Sequence, residues 1–273
     1  MIKVGENISI IPEINLEKTK TNIVEFIKSK VSESKTDGIV VGLSGGIDST
    51  LSAYLACEAL GKENVFGLVL PSATTPTEDT DHGIKIAQNL GIEYKKIAID
   101  GILNEFLSMT RLEENALAIG NLKARIRMSI IYYFANQKNY LVSGTGNKSE
   151  ILIGYFTKHG DGACDMEPIG DLYKTEVFKL SEYLGISQAI LEKPPRAGLW
   201  NGQTDEDEIG MGYNLLDQIL YLYTEKDLKN TEIAEKLDIL VDDVDMIITK
   251  IIRSEHKSKV PEIPQKTILK MVI

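Results

Sequence analysis

Gly38-Ile39-Val40-Val41-Gly42-Leu43-Ser44-Gly45-Gly46-Ile47-Asp48-Ser49-Thr50 is the stretch on which the fold turns. Its first six residues are apolar and β-branched, the pattern of a strand buried on both faces. A Gly-Gly turn follows, and a helix then runs from about 48 to Gly61. Glycines let the backbone approach a ligand closely. The helix start offers free N–H donors and a partial positive charge, and Ser44, Ser49 and Thr50 add hydroxyls. This is an anion site, with phosphate as the usual occupant. The Gly-Lys-Ser/Thr ending of a Walker A loop is absent, and Asp48 stands in its place. A carboxylate repels phosphates unless a cation lies between them, and Mg²⁺ typically takes one or two carboxylates plus phosphate oxygens. Asp48 therefore points to a nucleotide bound with Mg²⁺. The plainer alternative is that Asp48 caps the helix and the serines satisfy the turn.

Outward from this stretch, strands and helices alternate. Residues 16–35 carry Leu16, Ile23, Phe26, Ile27 and Val31 at helical spacing. Val65 to Leu70 reads as a strand stopped by Pro71, 77–90 as a helix ending at Gly91, and Glu93 to Ile99 as a third strand. A long helix is expected over 112–137 and a fourth strand over Tyr140 to Ser143. Such alternation means βαβ units and a parallel sheet with helices on both faces. Ligands in these folds sit beyond the carboxyl ends of the strands. Loops 44–47 and 144–150 both have that address. From about 186 onward only helix and loop are expected. The chain thus reads as one domain over 1–273: a sheet core over 16–185, a helical part over 186–260 and a tail over 261–273.

Composition narrows the class. The 273 residues hold 30 Lys and Arg against 40 Asp and Glu, a formal net charge of −10, with 43% hydrophobic residues. That is a globular balance. Residues 201–250 hold thirteen acids and four bases, and the broad basic footprint of a nucleic-acid binder is missing. No apolar run approaches the ~18 residues of a membrane span. The first fourteen residues lack the pattern of a secretory signal. Cys57 and Cys164 are too few for a disulfide framework or a four-cysteine zinc site. A cytoplasmic protein with reduced thiols is expected.

Ser44-Gly45-Gly46-Ile47-Asp48-Ser49 resembles the Ser-Gly-Gly-x-Asp-Ser loop of the N-type ATP pyrophosphatases. Those enzymes adenylate a carboxyl or carbonyl oxygen, release pyrophosphate and let a nucleophile displace AMP. Further motifs resemble those of the NAD synthetases within that class: Asn121-Leu122-Lys123-Ala124-Arg125-Ile126-Arg127-Met128, Gly144-Thr145-Gly146-Asn147-Lys148-Ser149-Glu150, Gly154 to Asp165, Pro168 to Thr175, Leu199 to Glu206, and Glu255-His256-Lys257. The resemblance spans roughly 16–260. It implies the adenine nucleotide alpha hydrolase-like fold, a homodimer, and ATP-dependent amidation of deamido-NAD through an acyl-adenylate. It also implies that Gly42, Leu43, Ser44, Gly45, Gly46, Ile47, Asp48, Ser49, Thr145, Lys174 and Arg196 face ATP. Asp48 and Glu150 would hold Mg²⁺, with Asp48, Glu150 and Lys174 as the catalytic set. Arg125, Lys158, Asp165, His256 and Lys257 would face deamido-NAD.

Each of these has a plainer alternative: solvated charge for any one Lys, a turn-stabilising Asp for Asp165, a helix-dipole partner for His256. Two positions depart from the family pattern. Arg196 stands where a small hydroxyl residue is usual, and Ser258 where an arginine commonly follows the His-Lys pair. Only about 35 residues precede the first strand and neither cysteine lies upstream of the loop. Free ammonia, not glutamine, is therefore the expected direct nitrogen donor. The rivals are a GMP synthetase-like amidotransferase, a tRNA thiolase, and a DNA-binding regulator built on Thr231 to Glu255. Residues 229–250 carry six acids and three bases, a poor surface for phosphate contacts. That hairpin reads as a packing element or a subunit contact. Glu192 to Asp207, with Pro194, Pro195, Gly198 and Gly202, reads as a mobile lid.

Overall fold

The computed structural model describes residues 10–112, 115–196 and 204–264. Helix α1 (Leu16–Ser34) begins where the Asn15 side chain accepts the Lys18 N–H, and it buries Ile23, Val24, Ile27 and Val31. Strand β1 follows at Gly38–Gly42. A Cβ on Gly38 would lie 2.2 Å from the Asn64 carbonyl oxygen, so only glycine lets β1 start there. After β1 come α2 (Ile47–Leu60), β2 (Val65–Val69), α3 (Thr77–Leu90), β3 (Glu93–Lys96), α4 (Asp100–Thr110), α5 (Ala116–Lys138) and β4 (Tyr140–Ser143).

The four strands pair in parallel in the order β3-β2-β1-β4. The sheet has helices on both faces. On one face, side chains of α1, α2 and α3 pack with those of the sheet, among them Ile27, Leu51, Leu55 and Ala87. On the other, Leu103 of α4 and Ile126 and Ala135 of α5 pack with Val40, Phe66, Leu68 and Val142. Each fully buried Ile or Leu here contributes roughly 1.5–3 kcal/mol.

Two expected boundaries shift by more than a residue. The third strand ends at Lys96, not Ile99. Its partner β2 ends at Val69, and past that point Ile99 donates to Pro71 O. Pro71 has no N–H to return, so the ladder stops. The long helix starts at Ala116, where Asn115 caps it by accepting the Ala118 N–H. Helix α4 occupies the connection between β3 and α5, for which the sequence pattern indicated no element.

After β4 come α6 (Lys148–Ile153), α7 (Lys174–Tyr183), α8 (Gln188–Leu191), α9 (Asp205–Ile209), α10 (Tyr213–Thr224), α11 (Asn230–Leu237) and α12 (Val241–Ser254). Val177 and Leu180 of α7 join the α1–α2 core. Helices α9 to α12 close over their own core of Ile209, Leu216, Leu220, Ile233, Val244 and Ile247. The α11–α12 hairpin thus spends its apolar face on packing, as the plainer reading of it expected. No helix among the described residues is long and apolar enough to cross a membrane.

Candidate active site

Strands β2 and β3 lie on one side of β1, and β4 lies on the other. The crevice of such a sheet opens where the strand order reverses, outside the carboxyl ends of β1 and β4. Both expected loops leave the sheet there. In the first, Gly45 has φ +77°, and a Cβ on it would lie 2.2 Å from the Asp79 carbonyl oxygen. The Ser44 hydroxyl accepts the Gly46 N–H at 3.2 Å and meets the Ser49 hydroxyl at 3.0 Å. Ser49 and Thr50 turn back to Gly46 O. Helix α2 is capped by Gly46 with no side-chain acceptor, so its first N–H groups stay available to an anion.

Asp48 does not cap that helix. Its Oδ1 accepts from Asn147 Nδ2 at 2.9 Å, and its Oδ2 accepts from Lys174 Nζ at 2.6 Å. Lys174 Nζ also reaches Glu150 Oε1 at 3.2 Å. Glu150 is the third residue of α6, and its amide donates to Asn147 Oδ1 in a capping box. Loops from β1 and β4 are therefore joined by one amide and one ammonium. The Lys174 side chain is 1% exposed. Burial alone would lower its pKa, but the Asp48 and Glu150 carboxylates outweigh that and hold it raised. Burial also raises the Glu150 carboxyl, against the pull of Lys174.

The start of α7 is itself held from α10. Asp217, wholly buried, accepts the Ser149 hydroxyl at 2.5 Å and the Thr175 N–H at 2.8 Å, while Ser149 Oγ accepts the Lys174 N–H at 2.9 Å. Asp205 lies on the same side. It accepts from the Tyr155 and Tyr213 hydroxyls at 3.1 and 3.3 Å, and the Tyr213 ring sits 5.2 Å from Lys174 Nζ.

Two adjoining cavities of about 640 and 600 Å³ open over these loops. Both touch Ser44, Asp79, Thr145, Tyr155, Asp161 and Lys257. The larger is lined by the phosphate loop, Glu150, Lys158 and Lys193. The other runs over Leu68, Val69, Leu70, Met128 and Ile131, an apolar wall suited to a base.

Of the expected residues, Ser44, Gly46, Ile47, Asp48, Ser49, Thr145, Glu150, Lys158, Arg196 and Lys257 line the larger cavity. Gly42 and Leu43 line its neighbour. Gly45 offers its carbonyl to Lys193 Nζ at 2.8 Å. Arg196 faces both cavities and pairs with Asp79 Oδ1 at 2.7 Å, and its Nε finds no acceptor among the described residues. Lys257 donates to Gly154 O and Phe156 O, and burial lowers its pKa. Arg125 donates to Lys158 O at 3.3 Å and lies outside both linings.

His256 and Asp165, the other two residues expected at the dinucleotide, line neither cavity. The His256 ring turns to Arg253 O at the end of α12, and its own carbonyl accepts from Lys158 Nζ. Asp165 accepts the Val142 N–H at 2.7 Å and the Tyr132 hydroxyl at 3.2 Å, at the outer edge of β4. Leu199 to Gln203, and with them the centre of the expected lid, lie outside the described residues. Asn147, Asp217, Asp205, Asp79 and Lys193 were missed by sequence reasoning. Nothing along the chain marks Asp217 or Asp205 as buried, and both are. Asn147 had a signal, the Asn-x-x-Glu spacing of a capping box.

A lysine-free phosphate loop facing a paired carboxylate site across the switch point of a parallel sheet defines a nucleotide-handling enzyme of the adenine nucleotide alpha hydrolase-like fold. The model of one family, NAD synthase, matches residues 19–261. The NH(3)-dependent NAD(+) synthetase of Methanocaldococcus jannaschii is 49% identical over 254 residues, 92% of this chain and 98% of its own length. Among solved structures, the NMN synthetase of Francisella tularensis matches with TM-score 0.84 and 34% identity, over 93% of this chain and 100% of its own. The NH3-dependent NAD synthetase of Campylobacter jejuni, in complex with the nitrate ion, matches with TM-score 0.79, 34% identity and the same coverage. This chain belongs to the NAD synthase family. It is an enzyme of the ligase class that forms a carbon–nitrogen bond.

Proposed function

We propose that this chain amidates deamido-NAD to NAD with ammonia, at the cost of ATP, and that the site between loops 44–49 and 145–150 carries both half-reactions. The observation that carries this reading is the meeting of Asp48, Glu150 and Lys174 at one point between the two loops. In the first half-reaction a nicotinate carboxylate oxygen attacks the α-phosphorus of ATP, and the bond to pyrophosphate breaks. In the second, ammonia attacks the acyl carbon of the adenylate, AMP leaves, and a proton is lost from nitrogen. Ser44 to Ser49, Thr145 and Arg196 orient the triphosphate, and Lys174 neutralises charge growing on the departing pyrophosphate.

Two carboxylates that converge within reach of one ammonium form a donor set that suits Mg²⁺, which fills its remaining positions from phosphates and water. Among the described residues no cluster of three or more His, Cys, Asp or Glu offers a fuller cage. Asp48 and Glu150 would hold the ion, which supplies Lewis-acid stabilisation of the phosphoryl oxygens. Lys158 and Lys257, on the cavity wall, serve the dinucleotide phosphates. Arg125 and Asp165 lie beside the exposed face of α5, where a second subunit of a homodimer would complete the dinucleotide cleft. The cytoplasm is the expected compartment, in keeping with the unpaired Cys57 and Cys164.

The likeness to a protein described as an NMN synthetase favours a second acceptor, the mononucleotide deamido-NMN. One assay separates these readings. Protein, ATP and Mg²⁺ are mixed with either acceptor, and with ammonium or glutamine. NAD from deamido-NAD and ammonium is the expected product. Turnover confined to the mononucleotide would replace the acceptor, and turnover that needs glutamine would overturn the nitrogen source.

A further inference from the structure

Glu167 appears in no motif read from the sequence as a site, yet it lies under the loop that bears Thr145. The chain from Asp165 to Glu167 runs beside the end of β4. Asp165 N–H donates to Val142 O, Ser143 and Met166 form a parallel bridge, and Gly144 N–H donates to Met166 O at 2.8 Å. The Glu167 side chain then turns beneath the loop. Its Oε2 accepts the Gly146 N–H at 2.9 Å and its Oε1 accepts the Cys164 thiol at 3.2 Å. A Cβ on Gly144 would lie 2.3 Å from Glu167 Oε2, and one on Gly146 would lie 3.2 Å from Oε1. Both glycines that flank Thr145 are thus shaped around this carboxylate, and Thr145, Gly146 and Glu167 line the same cavity.

We propose that Glu167 is a positioning residue for the nucleotide loop: its ionised carboxylate grips the Gly146 N–H and so keeps the Thr145 hydroxyl turned to the triphosphate. This rests on the assignment of Thr145 to ATP. Burial, helped by the charge of nearby Asp161, pushes the Glu167 carboxyl up to about 7, while the Cys164 and Gly146 donors pull the other way. The Cys164 thiol is itself raised by burial and by Glu167, so it stays protonated and donating. The sign follows. Above pH 7 the carboxylate is ionised and the grip is full. Below it the group takes up a proton and the charge-assisted bond becomes an ordinary one. Charge-assisted bonds are roughly twice as strong as neutral ones.

The test compares the wild type with Glu167→Gln and Thr145→Ala between pH 6 and 8.5, with KM for ATP and for deamido-NAD measured separately and folding followed by circular dichroism. Glu167→Gln keeps an oxygen for the Gly146 N–H but cannot ionise. At pH 8.5 its KM for ATP should be about 3- to 10-fold above wild type, the range expected when a charge-assisted bond becomes neutral. Its KM for deamido-NAD should be unchanged. The excess should vanish by pH 6, where the wild type is protonated too. ATP titrates in the same window, but equally for both proteins, so it cancels in the ratio. A ratio independent of pH, or a rise in KM for deamido-NAD alone, would overturn the proposal. Thr145→Ala checks the premise: if it raises KM for ATP and Glu167→Gln does not, only the role of Glu167 falls. If Thr145→Ala leaves KM for ATP unchanged, the ATP assignment of the loop falls and the proposal with it.

Discussion

Lys174 keeps its charge almost entirely out of water because two acids from distant parts of the chain close on it. Taking it away strands both. Lys174→Met, similar in length, should lower turnover by at least about 100-fold, the scale of losing one preorganised charge. It should also destabilise the fold by about 3–5 kcal/mol, the cost of breaking a buried pair from one side. Urea melts and kcat measured on one preparation check both. Asp48→Asn removes less of the structure, since an Asn there still offers an oxygen to Asn147. Turnover should be lost while the circular dichroism spectrum is retained, and an active Asp48→Asn enzyme would remove Asp48 from the proposed metal site. Lys158 lines the same cavity. Lys158→Ala should raise KM for deamido-NAD and leave KM for ATP near wild type; the reverse pattern would reassign it.

Helix α7 brings Lys174 to the site, and its first turn is anchored by Asp217 from α10. Hydrogen bonds to a charged group are worth about 1.5–3 kcal/mol each, so Asp217→Ala should cost about 3 kcal/mol in a urea titration and lower kcat as the helix start loosens. This coupling marks the limit of what the sequence allowed. Elements punctuated by glycine were legible to within a residue: β1 between Gly38 and Gly42, α2 ending before Gly61, α3 ending before Gly91. Asp48 was singled out by its own loop, and Glu150 and Lys174 through the family resemblance; the structure brings the three side chains together. Lys158 and Lys257 reach the cavity as expected, whereas the His256 ring and Asp165 satisfy backbone groups nearby. Asp217 and Asp205 were illegible because a buried acid and a solvated one look alike along a chain. β3 was overextended because its stop lies in the neighbouring strand, at Val69, with Pro71 just beyond.

At the scale of the molecule, α4 and α5 expose Ile102, Phe106, Met109, Leu117 and Tyr133 to solvent on the outer face of the sheet. Ile102, Phe106 and Met109 recur at helical spacing on one face of α4, and the proposed homodimer would bury them. Phe106→Glu combined with Met109→Glu should turn a dimer into a monomer by light scattering; an unchanged mass would move the interface elsewhere. The strand order has a further outcome. The Asn147–Asp48 and Lys174–Asp48 bonds bridge 99 and 126 residues. No shorter stretch of chain holds both halves of the site. During synthesis or refolding, affinity for nucleotide cannot appear until the fourth strand has docked beside the first and α7 has been seated by α10. Contacts that close such long loops come late and slowly. On the proposed assignment, ATP binding reports that both halves of the site have come together. Bound nucleotide, by mass action, then holds together the part of the structure that is last to assemble.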